Sequence, residues 1–140
     1  MTERAIFRAI LGVFLALAAF SCKKDDGAPP DNNSTRIIGS WREAYRAADS
    51  NSNGRADSDE RSNSTQYRVV TFYTNGSVRD TAFINGVASS IEATYTIDGD
   101  MLGIVFPGIP ASKITRLDAD SLVLSDTTSR PHLLTGYFKL

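Results

Sequence analysis

The chain has 140 residues, with 15 Lys and Arg against 16 Asp and Glu, and a single cysteine. This length suits one domain with a modest core, the near-neutral charge argues against a nucleic acid partner, and one cysteine excludes an internal disulfide. Stability must therefore come from a packed core, alone or with the help of a metal ion.

The first 21 residues have the pattern of a signal peptide. Arg4 and Arg8 form a basic start, an unbroken apolar stretch covers 9–20, and Ser21 precedes Cys22. The apolar stretch is shorter than the roughly 20 residues of a membrane-spanning helix. The segment resembles the cleavage site of bacterial lipoproteins, which implies cleavage before Cys22 and a covalent lipid on its thiol. The alternative is an ordinary signal peptide in which Cys22 is incidental.

Residues 22–35 form the predicted tether. They are polar, rich in Pro and Asn, and without apolar periodicity, which is typical of a flexible linker. The Lys and Asp residues directly after Cys22 are similar to the signal that sends some Gram-negative lipoproteins to the outer face of the outer membrane. That resemblance implies a lipid-anchored outer-membrane protein that faces the cell exterior. Alternatively, these charges belong to a solvated linker that carries no address.

Residues 36–140 show short apolar runs separated by turn residues, which predicts a β domain. Turn signals recur at intervals of roughly 8–12 residues, and Asn75-Gly76 and Asn85-Gly86 are typical of hairpins. We therefore predict an all-β fold, a single antiparallel eight-stranded up-and-down barrel whose closure removes exposed edges. Trp41–Ala48 also has a composition that suits a helix, although we favour a strand. The predicted strands are 37–45, 67–73, 78–84, 91–97, 101–106, 112–117, 121–125 and 133–140.

The domain resembles the lipocalin-like domains common in small secreted bacterial lipoproteins. Gly39-Ser40-Trp41 matches the Gly-x-Trp that opens the first strand of lipocalins, and the Asn75-Gly76 hairpin, the turn at 97–102 and the strand at 120–124 support the match. The resemblance covers 37–140. It implies that Trp41 closes one end of the barrel and that the interior binds a small apolar or amphipathic ligand.

Aromatic residues are the candidates for lining such a cavity. An eight-stranded barrel is just wide enough to be filled by side chains or to hold one small ligand, and the apolar pattern does not separate these cases. One interpretation is a ligand-binding barrel. The other is a non-enzymatic protein-interaction or structural module of the cell envelope with a filled barrel, which would need an envelope protein partner. The predicted lining residues are Tyr67, Phe72, Tyr95, Phe106 and Phe138.

The segment 49–60 has the spacing of a twelve-residue calcium loop. Calcium needs hard oxygen ligands at alternating positions, a glycine at position six for the sharp turn, and a final carboxylate with two oxygens. Position eight is Ala56, and the sequence has no second loop to pair with it, so we do not predict an EF-hand domain. We expect one structural calcium ion, and the alternative is a solvated loop that binds nothing. The predicted ligands are Asp49, Asn51, Asn53, the carbonyl of Arg55, Asp57 and Glu60.

No arrangement of residues in the sequence predicts catalysis. His132 is the only histidine, and it follows Pro131 without a nucleophile or an acid at motif spacing. The acidic residues at 98, 100, 118 and 120 lie in predicted hairpin turns, and turn chemistry explains them. The sequence also lacks a Gly-rich phosphate loop and the Cys/His spacing of a zinc site. We therefore predict that the protein is not an enzyme.

Overall fold

The computed structural model describes residues 32–140, which form a β-barrel with one short helix. Helix α1 spans Asn33–Arg36. Among residues 32–140, no helix is long and apolar enough to cross a membrane. The signal peptide, Cys22 and most of the tether lie outside the described residues, while 33–35 belong to α1. The strands are β1 Gly39–Asp49, β2 Arg61–Asn63, β3 Tyr67–Phe72, β4 Ser77–Ile84, β5 Val87–Asp98, β6 Met101–Val105, β7 Ser112–Leu117, β8 Ser121–Asp126 and β9 His132–Lys139.

The barrel is closed by β1, which pairs with strands on both of its edges. It pairs with β3 through residues 39–42 and with β9 through residues 41–49. From β3 to β9 each strand pairs with the next along the chain, and every pairing is antiparallel. The prediction of an antiparallel, eight-stranded up-and-down barrel is therefore confirmed. The short β2 was not predicted, and it pairs with the second half of β1.

A β-bulge divides β1 into two halves that face different sides of the wall. β1 is a strand throughout, which excludes the helical alternative. Opposite β9, Glu43 pairs with Tyr137 but Tyr45 pairs with Gly136, so Ala44 is the extra residue. Paired residues share a face, and neighbours along β9 point to opposite faces. Since Tyr137 points into the barrel, Tyr45 and the residues that alternate with it point outward.

The two halves of β1 contribute to two separate apolar clusters. The interior core contains Trp41, the largest fully buried side chain, and residues from β3, β4, β6, β7, β8 and β9. A smaller outer cluster lies against the outside of the wall. It consists of Ala47, Ala56, Val123 and Leu134, with Tyr45 packed on them. Ala56 belongs to the loop between β1 and β2, so this loop is attached to the barrel by apolar contacts.

Gly136 provides the space that the Tyr45 ring occupies. A Cβ atom on Gly136 would overlap Cε1 and Cζ of Tyr45, whose ring lies 4.5 Å below the Arg61 guanidinium carbon. We expect Gly136→Ala to lower the free energy of unfolding by about 1–3 kcal/mol, as overpacking usually does. In urea unfolding, the double variant Tyr45→Ala/Gly136→Ala should lose less stability than the sum of the single changes. Additive losses would contradict this explanation.

Candidate functional site

The interior of the barrel contains a cavity of about 160 Å³. Its inner part is formed by buried side chains such as Phe72 and Leu122, and its outer part by Ile91, Phe106 and Ile109, which are about 40% exposed. Phe72 pairs with Gly39 at the start of β1, whereas Phe106 and Ile109 belong to the connection between β6 and β7. The cavity therefore opens at the end of the barrel opposite the start of β1.

Trp41 closes the other end of the barrel. Its side chain is 0% exposed, and its indole Nε1–H donates to the Ile37 carbonyl oxygen at 2.7 Å. The Lys139 ammonium lies 5.1 Å from the centre of the indole ring, within the range of a cation–π contact. Asn33 in α1 donates to the Gly99 carbonyl oxygen at 3.0 Å. These contacts hold α1 and the ends of β1 and β9 over the closed end.

One side of the barrel interior carries charge. Arg68 Nε donates to Asp80 Oδ1 at 2.8 Å, and Arg68 Nη1 lies 3.5 Å from Glu43 Oε2. Arg46 donates to both oxygens of Glu43, at 2.9 and 3.2 Å. The Glu43 side chain is 1% exposed, so this carboxylate depends on its two arginine partners. We call these four residues the polar cluster: Glu43, Arg46, Arg68 and Asp80. Its two cations balance its two carboxylates. The hydrogen bond to Asp80 raises the pKa of Arg68.

Tyr137 lies beside the polar cluster and lines the cavity. It is 7% exposed, and burial is the main cause that raises its pKa to about 12. The hydroxyl therefore keeps its proton well above neutral pH. In the part of the chain that the structure describes, the Tyr137 hydroxyl makes no hydrogen bond. It is thus a protonated donor at the edge of an apolar space.

The five predicted lining residues lie in different places. Phe72 and Phe106 line the cavity. Tyr95 packs edge-to-face on Phe72, with ring centroids 5.1 Å apart, but does not line the cavity. Tyr67 is 46% exposed and Phe138 is 51% exposed, and neither lines the cavity. Contact of any of the five with a ligand stays a prediction.

The residues lining the polar side of the cavity were not among the sequence candidates. Arg68, Val70 and Phe72 occupy every second position of β3, and all three line the cavity. Because side chains alternate between the faces of a strand, a face that directs Phe72 inward also directs Arg68 inward. The position of Arg68, four residues before Phe72 and therefore on the same face, was the signal that could have identified it.

Residues 49–57 of the loop are organised by hydrogen bonds to carboxylates. Asp49 is 2% exposed, and its two oxygens accept the N–H groups of Asn53 and Gly54, each at 2.9 Å. The side-chain amides of Asn51 and Asn53 both donate to Asp57 Oδ2 at 2.9 Å, and these bonds lower the pKa of Asp57. Four of the predicted calcium ligands therefore lie around a single turn.

Glu60 connects the end of this loop to its start. Glu60 Oε1 accepts the N–H and hydroxyl of Ser50, whereas Oε2 is buried and has no hydrogen-bond partner among residues 32–140. The remaining predicted ligand, Arg55, donates its N–H to Asn53 Oδ1. Within the described barrel, no three His, Cys, Asp or Glu side chains form a group that could hold a metal. A cation here would therefore also need amide and backbone oxygens.

Ala56 occupies position eight of the predicted calcium loop. It is 8% exposed and packs in the outer cluster against the wall of β1, β8 and β9. In a paired EF-hand this position contacts a second loop. Here the barrel wall provides the apolar contact, which explains how a single loop of this kind can be held without a partner loop.

His132 and Asp118 both make local contacts. His132 begins β9, where its Nδ1 lies 3.0 Å from the Asp126 carbonyl oxygen and its ring contacts the Arg130 guanidinium. Asp118 Oδ1 accepts the Ser121 N–H at 2.8 Å in the turn between β7 and β8. These contacts place Asp118 in a turn and His132 at the start of β9.

Comparisons with known proteins support the fold. No protein-family model matches the chain, and no curated protein matches it either. The crystal structure of the major allergen Per a 4 from cockroaches is similar to it, with a TM-score of 0.50, 17% identity, and coverage of 76% of this chain and 68% of that chain. At this identity the likeness supports a lipocalin-like barrel and says nothing of function.

Two bovine structures are also similar over most of the chain. The lipocalin allergen Bos d 2 has a TM-score of 0.45 and 16% identity, with coverage of 77% of this chain and 75% of that one. The odorant-binding protein in complex with undecanal has a TM-score of 0.45 and 18% identity, with coverage of 80% and 76%.

Proposed function

We propose that this protein is a non-enzymatic binding protein that holds a small apolar or amphipathic molecule inside its lipocalin-like barrel. The cavity of about 160 Å³ is the observation that carries the proposal. Ala93, Ile104 and Leu124 provide an apolar wall, and apolar surface of this kind is the usual lining of small-molecule sites. A filled barrel would leave no such space.

A native mass spectrum of the full chain, purified from its own cell envelope in mild detergent, tests ligand binding. We expect an additional organic mass on the folded protein. The variant Ala93→Leu fills the cavity and should lose that mass, while Thr94→Leu changes the neighbouring exposed position and should keep it. Equal loss in both variants, or no mass together with no binding of added small apolar probes, would overturn the proposal.

The alternative function is a protein-interaction module of the cell envelope. Exposed apolar side chains near the open end favour it, because such patches often mark interaction sites. Ile84 and Val87, at the tip of the β4–β5 hairpin, are 55% and 69% exposed. Under this alternative, Ile84→Ser would weaken a specific envelope complex, and Ala93→Leu would leave that complex unchanged.

We also propose that the protein is anchored in the outer membrane by a lipid on Cys22, with the barrel facing the cell exterior. The signal-peptide pattern and the tether composition support this anchor. Metabolic labelling with a radioactive fatty acid tests it. Label should enter the wild-type chain and not Cys22→Ser, and protease added to intact cells should degrade the barrel. Equal labelling of both chains would exclude Cys22 as the lipid site.

We propose that the 49–60 loop binds one structural calcium ion. The ligand spacing in the sequence is the first support, and the buried, unpaired Glu60 Oε2 is the second. A buried carboxylate oxygen without a partner costs free energy that a cation would remove. Because Asp49 and Ala56 attach the loop to the barrel, binding there would stabilise the loop and the outer cluster together.

We expect calcium to raise the melting temperature of the full chain by about 5 °C once its concentration is tenfold above Kd. Glu60→Gln should abolish this increase while keeping an acceptor for Ser50. Asp100→Asn, at an exposed carboxylate in another turn, should leave it unchanged. Differential scanning calorimetry with calcium and with a chelator gives the comparison. If wild type and Glu60→Gln respond alike at millimolar calcium, the calcium proposal is wrong.

A further inference from the structure

The Tyr137 hydroxyl is a hydrogen-bond donor with no partner among the described residues. It lines the cavity, is 7% exposed, and makes no hydrogen bond to any residue of the described barrel. Because Tyr137 lines the cavity, a molecule that fills this space can contact it. A ligand atom that accepts a hydrogen bond would provide the missing partner.

The charged side chains beside Tyr137 indicate which ligand charge the cavity favours. Arg68 already pairs with Asp80 and Glu43, and Arg46 pairs with Glu43. An anionic ligand would meet two carboxylates and no unpaired guanidinium in this cluster. A cationic ligand would have to displace an arginine from its carboxylate. The balanced cluster therefore favours a neutral head group.

The size of the cavity limits the apolar part of the ligand. An engineered apolar cavity of about 150 Å³ in another protein holds benzene, and this cavity is of about the same volume, 160 Å³. Ala93, Ile104 and Leu124 line the same space with apolar side chains. The fitting molecule is thus about the size of one substituted ring and much smaller than a long-chain lipid.

From this geometry we infer that the cavity selects small, neutral molecules with one hydrogen-bond acceptor, such as aromatic or short-chain carbonyl compounds, and that Tyr137 donates to the acceptor. The inference rests on the proposed ligand-binding function. Tyr137 determines specificity within that function, and the apolar wall provides the general affinity.

Three probes of similar shape separate these contributions: acetophenone has the acceptor, isopropylbenzene lacks it, and benzoate carries a negative charge. In calorimetric titrations of the full chain we expect acetophenone to bind about fivefold more tightly than isopropylbenzene, the ratio that one net hydrogen bond gives. Benzoate should bind at least tenfold more weakly than acetophenone.

Tyr137→Phe should remove the preference for acetophenone and keep the binding of isopropylbenzene. Tyr95→Phe is the matched control, because the Tyr95 hydroxyl donates to the Tyr73 carbonyl oxygen and Tyr95 does not line the cavity. A preference that survives in Tyr137→Phe, or benzoate as the tightest probe, would overturn the inference while the binding function stands. If none of the probes binds and no native mass is found, both proposals fail.

Discussion

Replacing Trp41 with alanine is expected to lower the free energy of unfolding by about 3–5 kcal/mol, the usual cost of reducing a buried Phe or Trp to alanine. Trp41 is fully buried in the interior core at the closed end of the barrel. The substitution also removes the donor to the Ile37 carbonyl oxygen. Since domains of this size are stable by roughly 5–15 kcal/mol, a large share of the total stability should be lost.

Phe138→Ala is the matched control for this prediction. Phe138 is also a large aromatic residue, but it is 51% exposed on the outer side of β9. We expect its replacement to cost about 1 kcal/mol or less. Urea unfolding of both variants and the wild type, followed by circular dichroism because Trp41 is the only tryptophan, provides the comparison. Similar midpoints for the two variants would show that Trp41 does not stabilise the closed end.

The second large effect is expected from Glu43→Ala. Removing one partner from a buried ion pair costs about 3–5 kcal/mol, because the charge that remains is not compensated. After this change Arg68 would keep its bonds to Asp80, and the Arg46 side chain is 54% exposed, so no buried charge would be left without a partner. We therefore expect a smaller loss of about 2 kcal/mol, the contribution of the lost charge-assisted hydrogen bonds. The loss should be evident in a lowered urea midpoint at neutral pH.

The chain offers an exposed ion pair for comparison. Arg79 and Glu92 face each other across β4 and β5, and their side chains are 49% and 65% exposed. Exposed pairs contribute little to stability, since water screens them and their side chains lose entropy on pairing. Glu92→Ala should therefore leave the urea midpoint nearly unchanged. A loss as large as that of Glu43→Ala would mean that burial does not distinguish the two pairs.

The barrel could be predicted from the sequence because strand alternation and turn residues are local signals. Asn85-Gly86 forms the expected two-residue turn, with positive φ at both residues. At Asn75-Gly76 only Gly76 has positive φ, and the Gly76 N–H donates to the Tyr73 carbonyl oxygen in a longer turn. The same dipeptide thus formed two different turns, because the flanking residues pair differently.

The bulge at Ala44 shows what local signals do not contain. In the sequence, Trp41, Glu43 and Tyr45 follow one alternation, which would place all three on a single face. The structure directs the first two inward and Tyr45 outward, because the pairing with β9 shifts by one residue. A bulge depends on the partner strand. Neither the outer cluster nor the contact of Ala56 with the barrel wall could therefore be predicted from the sequence of β1 alone.

Whether a residue lines the cavity depends on which face of its strand it occupies, and not on its residue type. Tyr67 and Phe72 are five positions apart on β3, so alternation places them on opposite faces, and the structure follows alternation. The polar cluster required knowledge of which strands are neighbours, because Glu43, Arg68 and Asp80 come from β1, β3 and β4. Such contacts between distant residues become visible only when the barrel is closed.

Helix α1 also determines where the preceding chain joins the barrel. Asn33 contacts the turn between β5 and β6, so the preceding chain joins the barrel at the Trp41 end. The cavity opens at the other end of the barrel, so the point where the preceding chain enters and the opening of the cavity lie at opposite ends of the domain.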